Sequence, residues 1–145
     1  MRDARRHRGV GGLAVGLAVL LLAGGCVYYP TVADVGGVRI QPEHGRVVRS
    51  GEGALFFVDL NSTGMFEDIL LRVETNIARR AQLVGANGAK VERFTVPGTT
   101  LVRLHEAGER VALSDLTREL KTGEVVIVTL GFEKYGALGV VSSVE

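Results

Sequence analysis

Short apolar runs, each closed by glycine, asparagine or proline, fill the chain from Gly37 onward and limit most strongly what it can fold into. Runs of four to eight residues with such boundaries are typical of consecutive short β-strands. So many short strands in a small domain predict an all-β fold, an antiparallel Greek-key sandwich or barrel. The predicted strands are 38–41, 46–50, 53–60, 68–75, 78–84, 90–96, 99–105, 110–113, 124–132 and 137–144.

Alternation within single strands supports this fold class. In 90–96 and 100–104, polar and apolar residues largely trade places, as expected where one face of a strand meets solvent and the other a core. The segment 125–130 is apolar almost throughout, which predicts a central strand.

The segment from Asp68 to Gln82 is open to a second interpretation. Four of its apolar residues are also spaced as on one face of a helix. We favour strands here and keep the helix as the alternative. The four residues are Ile69, Leu70, Val73 and Ile77.

The first 25 residues have the pattern of an export signal. Four arginines and one acid, Asp3, precede an uncharged apolar run from Val10 to Val27. Basic, then apolar, then small residues is the order of a secretory signal peptide. Because arginines are retained on the cytoplasmic side, we predict that residues 1–25 are a signal peptide and that the rest is exported.

The apolar run ends in Leu22-Ala23-Gly24-Gly25-Cys26, which resembles the bacterial lipobox, with Ala23 where leucine is usual. The resemblance implies that Cys26 carries a lipid. Exported chains normally use cysteines in pairs, and lipidation explains why this chain has a single one. An uncleaved transmembrane anchor is the alternative, because about 18 apolar residues can just span a bilayer.

The part after the signal is nearly neutral and short. It keeps 13 of the 17 basic and 15 of the 16 acidic residues, a net charge of −2, which argues against a nucleic-acid partner. We predict a lipidated tether over 26–36 and a single β domain over 37–145. At about 3.3 Å per residue the tether reaches roughly 30 Å, so the domain should lie close to the membrane.

Groups for catalysis or metal binding are scarce. Only His44 and His105 remain after the signal, and no nucleophile elbow surrounds any serine, so we predict no enzyme. Copper(I) prefers methionine sulfur and imidazole, which leaves His105, Met65 and His44 as weak candidates without a ligand-spacing motif. We predict no cofactor, and we interpret Met65, beside Phe66, as a hydrophobic plug under a loop.

Four arginines on neighbouring predicted strands have two interpretations. They form either a basic patch for anionic lipid headgroups or ordinary strand-edge charge that discourages edge pairing, and interspersed acids favour the second. They are Arg72, Arg79, Arg80 and Arg93.

The C-terminal half resembles a known family. The segments 116–124 and 128–136 are similar to the PLKEGD and LTFEKAG motifs that end the periplasmic copper chaperones called PCu(A)C. Residues 34–42 and 54–64 also resemble that family's first strands. The resemblance implies a cupredoxin-like or immunoglobulin-like antiparallel barrel, and copper(I) held between histidines and methionines for delivery to oxidase assembly.

The same resemblance locates the family's ligands in this chain. Its His-x-Met pair falls on Arg110 and Ala112, its earlier histidine falls on Val84, and its methionine hairpin is shortened to 85–88 without a methionine. A guanidinium has no lone pair to offer a metal. We therefore expect the family's copper site to be absent. A relocated site is the alternative, because His105 and Arg110 flank one predicted turn.

Two functional hypotheses follow from this sequence. The first is a non-enzymatic lipoprotein, anchored to the membrane through Cys26 and facing outside the cytoplasm, that acts by protein or lipid contacts in the cell envelope. The second is a copper(I) carrier with a relocated or weak metal site.

Overall fold

The computed structural model describes residues 33–145, so the predicted signal peptide over residues 1–25 and residues 26–32 of the predicted tether, including Cys26, lie outside the described part. Among the described residues, no helix is long and apolar enough to cross a membrane. The strands are β1 (Ile40–Ser50), β2 (Gly53–Ser62), β3 (Asp68–Thr75), β4 (Ala78–Val84), β5 (Phe94–Val96), β6 (Thr100–Leu104), β7 (Arg110–Leu116), β8 (Val125–Phe132) and β9 (Ala137–Val144).

The strands form one curved sheet in the order β4-β7-β2-β1-β9-β8-β3-β5, and β6 pairs with β2 beside β7. Each pair is antiparallel except β1 and β9, which run parallel where Arg46 lies opposite Ser143. The result is a nearly closed barrel, which confirms the predicted all-β, mainly antiparallel fold.

The start of the sheet differs from the sequence prediction. The segments predicted as two strands, 38–41 and 46–50, belong to the continuous strand β1, whose register with β2 shifts between Glu43 and Arg46. His44 takes a positive φ of 53° there. A bulge of this kind absorbs extra residues without ending a strand, so residues 42–45, which separate the two predicted strands, contain the bulge.

Pairing between distant strands decides the structure of two further segments, 68–82 and 90–96. The helical alternative for 68–82 is wrong, because β3 pairs with β5 and β8 while β4 pairs with β7. The predicted strand 90–96 is reduced to β5, since the backbone N–H of Val91 donates to the carbonyl of Leu83 and turns that residue toward β4.

The core follows the period-2 alternation of the strands. In β8, Val126, Val128 and Leu130 are buried while Val125 and Ile127 are exposed. This strand lies between β9 and β3, so its predicted central place is correct although only its inner face is covered. The largest fully buried side chains of the core include Phe56, Ile40, Leu60, Leu70, Ile77, Leu104, Leu113 and Leu130.

Candidate functional site

The residues that the sequence resemblance places at the family's copper-ligand positions come together in the pairing of β4 with β7. Val84 lies directly opposite Arg110, and Gln82 lies opposite Ala112. Leu83 and Val111, which alternate with them, are buried in the core. Successive residues of a strand point to opposite faces, so Val84, Arg110 and Ala112 share the outer face of this strand pair.

Among Val84, Arg110 and Ala112, only Arg110 carries a charge. Its guanidinium is half-buried and donates from Nη1 to the carbonyl of Gly108 at 3.0 Å. On the other side of Val84, Lys90 is its bridge partner. Two cationic residues therefore flank Val84 in the backbone pairing. A guanidinium offers five donors and no acceptor, so this arrangement suits an anion or a carbonyl oxygen and not a metal cation.

The turn at 85–88 closes on itself. The N–H of Gly85 donates to the carbonyl of Ala89 and that of Gly88 to the carbonyl of Gly85, both at 2.9 Å, while the Asn87 side chain accepts the N–H of Ala89 at 3.0 Å. The turn therefore satisfies its own polar groups, and it contributes no sulfur to the neighbouring strands.

His105 lies on the turn that leads into β7, as its place in the sequence predicts. Its backbone pairs with that of Glu109, and its ring lies against Gly108, where a Cβ atom would come within 2.8 Å of the imidazole. Arg110 binds the carbonyl of the same Gly108. His105 and Arg110 thus flank one turn through Gly108, and the cross-strand partner of His105 is Glu109.

The other two metal candidates lie elsewhere. His44 is on the bulge of β1 and contacts Asp59, with 3.1 Å between Nδ1 and Oδ2. Met65 follows β2, whose last residue, Ser62, lies opposite Thr100 at the start of β6. His105 follows the last residue of β6, at the opposite end of β6 from Thr100. The length of β6 therefore separates His105 from Met65.

The structure therefore does not bring the three metal candidates together. Within residues 33–145, no three or more histidine, cysteine, aspartate or glutamate side chains are grouped so as to hold a metal ion.

Three of the four arginines considered as a basic patch line one groove of about 470 Å³ between β3 and β4. Arg72 pairs with Glu74 and Arg80 with Asp115, each at 3.1 Å, while Arg93 does not line it. Lys90 lines the same groove. The ion pairs neutralise two of these cations at the surface, which agrees with their interpretation as strand-edge charge.

The interpretation of Met65 and Phe66 as a hydrophobic plug is wrong. Met65 is 81% exposed and Phe66 is 57% exposed. Both are on the loop that joins β2 to β3, and nothing in their sequence distinguishes a covered loop from an uncovered one.

Comparison with known proteins adds a family and several structures of the same fold. Residues 34–144 match the family described as "Putative lipoprotein LpqE-like". No protein of curated function matches the chain.

The copper-bound PCuAC domain from PmoF2 superposes with a TM-score of 0.67 at 23% identity, over 79% of this chain and 97% of that domain. For the apo PCuAC domain from PmoF1 the TM-score is 0.66 at 25% identity, over 79% of this chain and 98% of that domain. For copper(I)-bound DR1885 from Deinococcus radiodurans the TM-score is 0.64 at 20% identity, over 87% of this chain and 85% of that protein. These findings confirm the resemblance to PCu(A)C. The chain belongs to the LpqE-like family, and its described part has the fold of a PCuAC domain.

Proposed function

We propose that this protein is an exported, lipid-anchored lipoprotein of the cell envelope, whose PCuAC-like domain is not an enzyme and acts through protein or lipid contacts without the copper site of that family. The observation that carries this proposal is the pairing of Arg110 with Val84. By the sequence resemblance these positions correspond to two histidines of the copper chaperones, and neither residue has a soft donor atom.

Electrostatics adds to the missing ligands. Arginine remains protonated throughout the physiological range, so Arg110 keeps a positive charge where the chaperones hold a cation. Its hydrogen bond to the Gly108 carbonyl anchors the guanidinium at the turn. A copper(I) ion at this position would meet repulsion from a fixed charge in addition to lacking ligands.

The lipid anchor is supported by the sequence before the domain and by the family. Cys26 ends an apolar run that follows four arginines, and the matching family is described as a lipoprotein family. A direct test is mass spectrometry of the protein purified from membranes. We expect Cys26 as the N-terminal residue with a diacylglycerol thioether, and an unmodified Cys26 would overturn the anchor.

The absence of a copper site is tested by titrating copper(I) against a competing chelator. The chain without residues 1–26 should leave the copper with the chelator at every protein concentration. The variant Arg110→Ala is the matched control for charge alone, and it should behave in the same way because alanine supplies no ligand. Retention of one copper(I) per chain by the natural protein would overturn the proposal.

The alternative is a copper(I) carrier with a relocated site. The position of His105 is the observation that supports it. Its ring lies on the turn that positions Arg110, next to the place where the family binds copper. In that case His105→Ala would abolish copper(I) retention, while His44→Ala, on the bulge of β1, would not.

A further inference from the structure

The loop between β2 and β3 presents apolar side chains to solvent beside the point where the described chain begins. Met65 is 81% and Phe66 57% exposed, and Val35, 39% exposed, is on the N-terminal segment whose Gly37 contacts Phe66. We call Val35, Met65 and Phe66 the entry patch. Exposed apolar side chains that lie close together can mark a protein or membrane interaction site.

The patch is joined directly to the N-terminal segment. The Phe66 ring lies over Gly37, where a Cβ atom would come within 2.6 Å of it, and the Phe66 N–H donates to the Gly37 carbonyl at 3.4 Å. Val35 and Val38 exchange backbone hydrogen bonds at 2.9 and 3.0 Å. The N-terminal segment 35–38 is therefore packed against the exposed loop.

The backbone of the loop is held by its neighbours. The Thr63 N–H donates to the Arg39 carbonyl and the Thr99 N–H to the Gly64 carbonyl, both at 2.9 Å. A Cβ atom on Gly64 would come within 2.4 Å of the Gly37 carbonyl oxygen, so the backbones touch. The loop therefore presents Met65 and Phe66 from a fixed backbone.

The length of chain before the structure limits where the entry patch can lie. Ala33, whose N–H donates to the Tyr135 hydroxyl at 3.3 Å, is seven residues after Cys26. Seven extended residues span at most about 25 Å. If Cys26 is lipidated, the end of the barrel that carries the patch is held within that distance of the bilayer.

From these observations we propose that the entry patch docks on the membrane, with Met65 and Phe66 inserted among the lipid headgroups. This inference rests on the proposed lipid anchor. The diacylglycerol on Cys26 would hold the protein at the membrane, but a short tether by itself leaves the orientation of the domain open. The docked loop would set that orientation.

The contact is apolar in character. Arg39, beside the loop, pairs with Asp34 at 2.8 Å, so this cation is not free for anionic lipids. Hydrogen bonds from Gly37 and Arg39 lower the pKa of Asp34, so the pair stays ionised to a more acidic pH than an isolated aspartate would. Lys134, whose Nζ donates to the Glu67 carbonyl next to Phe66, is a further cation beside the loop, so docking should depend less on ionic strength than binding through a cluster of unpaired basic residues, but not be independent of it.

A second exposed apolar surface provides the control. Val125, Ile127 and Val141 lie on the outer faces of β8 and β9. Ile127 pairs with Val141, four residues along the strands from the pair of Gly131 with Ala137, which borders the turn that contacts Ala33. Four residues of a strand span about 13 Å, so Ile127 and Val141 lie about that far from this turn. This surface also exposes apolar side chains but is farther from Ala33, the first described residue.

The chain has no tryptophan, so one introduced tryptophan is a specific reporter. The full chain, purified with its natural anchor, would be placed in vesicles of phosphatidylcholine and phosphatidylglycerol, with and without brominated lipid. For Phe66→Trp, and for Met65→Trp as a second reporter at a position without a packing role, we expect blue-shifted emission and at least roughly half of it quenched. Val141→Trp should emit as in water.

Two further measurements separate this inference from the lipid anchor. Adding Met65→Asp to Phe66→Trp should reduce the quenching, while adding Val141→Asp should not. Co-sedimentation with the vesicles reports the anchor. Unquenched emission from Phe66→Trp and Met65→Trp in protein that still sediments would overturn the docking alone, and loss of sedimentation would overturn both proposals.

Discussion

The buried carboxylate of Asp68 accepts the backbone N–H of Tyr135 at 2.7 Å and thereby joins the first residue of β3 to the turn between β8 and β9. The N–H groups of Lys134 and Ile69 donate to the same carboxylate at 2.9 and 2.8 Å. Tyr135 in turn contacts Ala33 through its hydroxyl. One carboxylate thus positions the turn against which the described chain begins.

Replacing Asp68 should therefore destabilise the domain strongly. Asp68→Ala leaves buried N–H groups without an acceptor and should lower the free energy of unfolding by about 2–4 kcal/mol. Asp68→Asn, which keeps one acceptor oxygen, should cost less. Urea denaturation at neutral pH measures both. Glu67→Ala is the control, because this exposed neighbour uses only its backbone carbonyl, and a loss as large as that of Asp68→Ala would contradict the prediction.

Introducing the family's His-x-Met pair should create copper binding. In Arg110→His with Ala112→Met, the new side chains share the outer face of β7 and the fixed charge is removed. We expect copper(I) affinity to rise by at least about tenfold, which corresponds to about 1.4 kcal/mol. Competition with a chelator measures this gain. Arg80→His with Gln82→Met, on the neighbouring strand β4, is the control, and an equal gain there would show that the site is not defined by β7.

A pH-dependent contribution to stability should come from the turn before β8. Arg118 donates to both Glu124 carboxylate oxygens at 2.9 Å, and the Lys121 N–H donates to one of them at 2.8 Å. These bonds lower the pKa of Glu124 below its ordinary value of 4.5. A lowered pKa in the folded state means that the stabilisation is complete above the ordinary pKa and is lost as the pH falls through the lowered one.

We therefore expect Glu124→Gln to lower the Tm at pH 7, with the difference from the natural protein shrinking below about pH 4.5. Thermal unfolding followed by circular dichroism across this range measures the difference. Glu133→Gln, at an exposed residue of the next turn, should have no such pH-dependent effect. A constant difference for Glu124→Gln at all pH values would show that the charge is not responsible.

The close backbone contact under the entry patch should make Gly64 intolerant of a side chain. Gly64→Ala would place a methyl group against the Gly37 carbonyl and the Arg39 N–H, and the required backbone shift should cost about 1–3 kcal/mol. Gly139→Ala is the matched control, since the nearest atom to its Cβ would be 3.7 Å away. It should be neutral or stabilising by up to about 1 kcal/mol. Equal stability of the two variants would contradict this account.

The strands were predictable where the pattern is local. Alternation in 100–104 and apolar character in 125–130 correspond to β6 and β8, because period-2 burial follows directly from strand geometry. The prediction failed at 42–45, where a bulge joins the two predicted strands into one, and at 90–96, where the chain folds back on β4. Both outcomes depend on contacts with other strands, which local alternation does not encode.

The candidate site was predictable in part. The resemblance placed Val84, Arg110 and Ala112 at ligand positions one at a time, and the pairing of β4 with β7 brings them together. The exposure of Met65 and Phe66 was not predictable, because an apolar pair in a loop has the same sequence whether a neighbouring segment covers it or not.

By itself the sequence determined the basic and apolar order before Cys26, the all-β class and the residue types at the ligand positions, since these depend on composition and on the two-residue repeat of a strand. Only the tertiary structure decided which strands are neighbours, that Arg110 lies opposite Val84, and that Met65 and Phe66 stand uncovered beside the start of the domain. The physical reason is that alternation assigns a residue to one face of its strand, whereas neighbours and exposure arise from the packing of segments far apart in the chain.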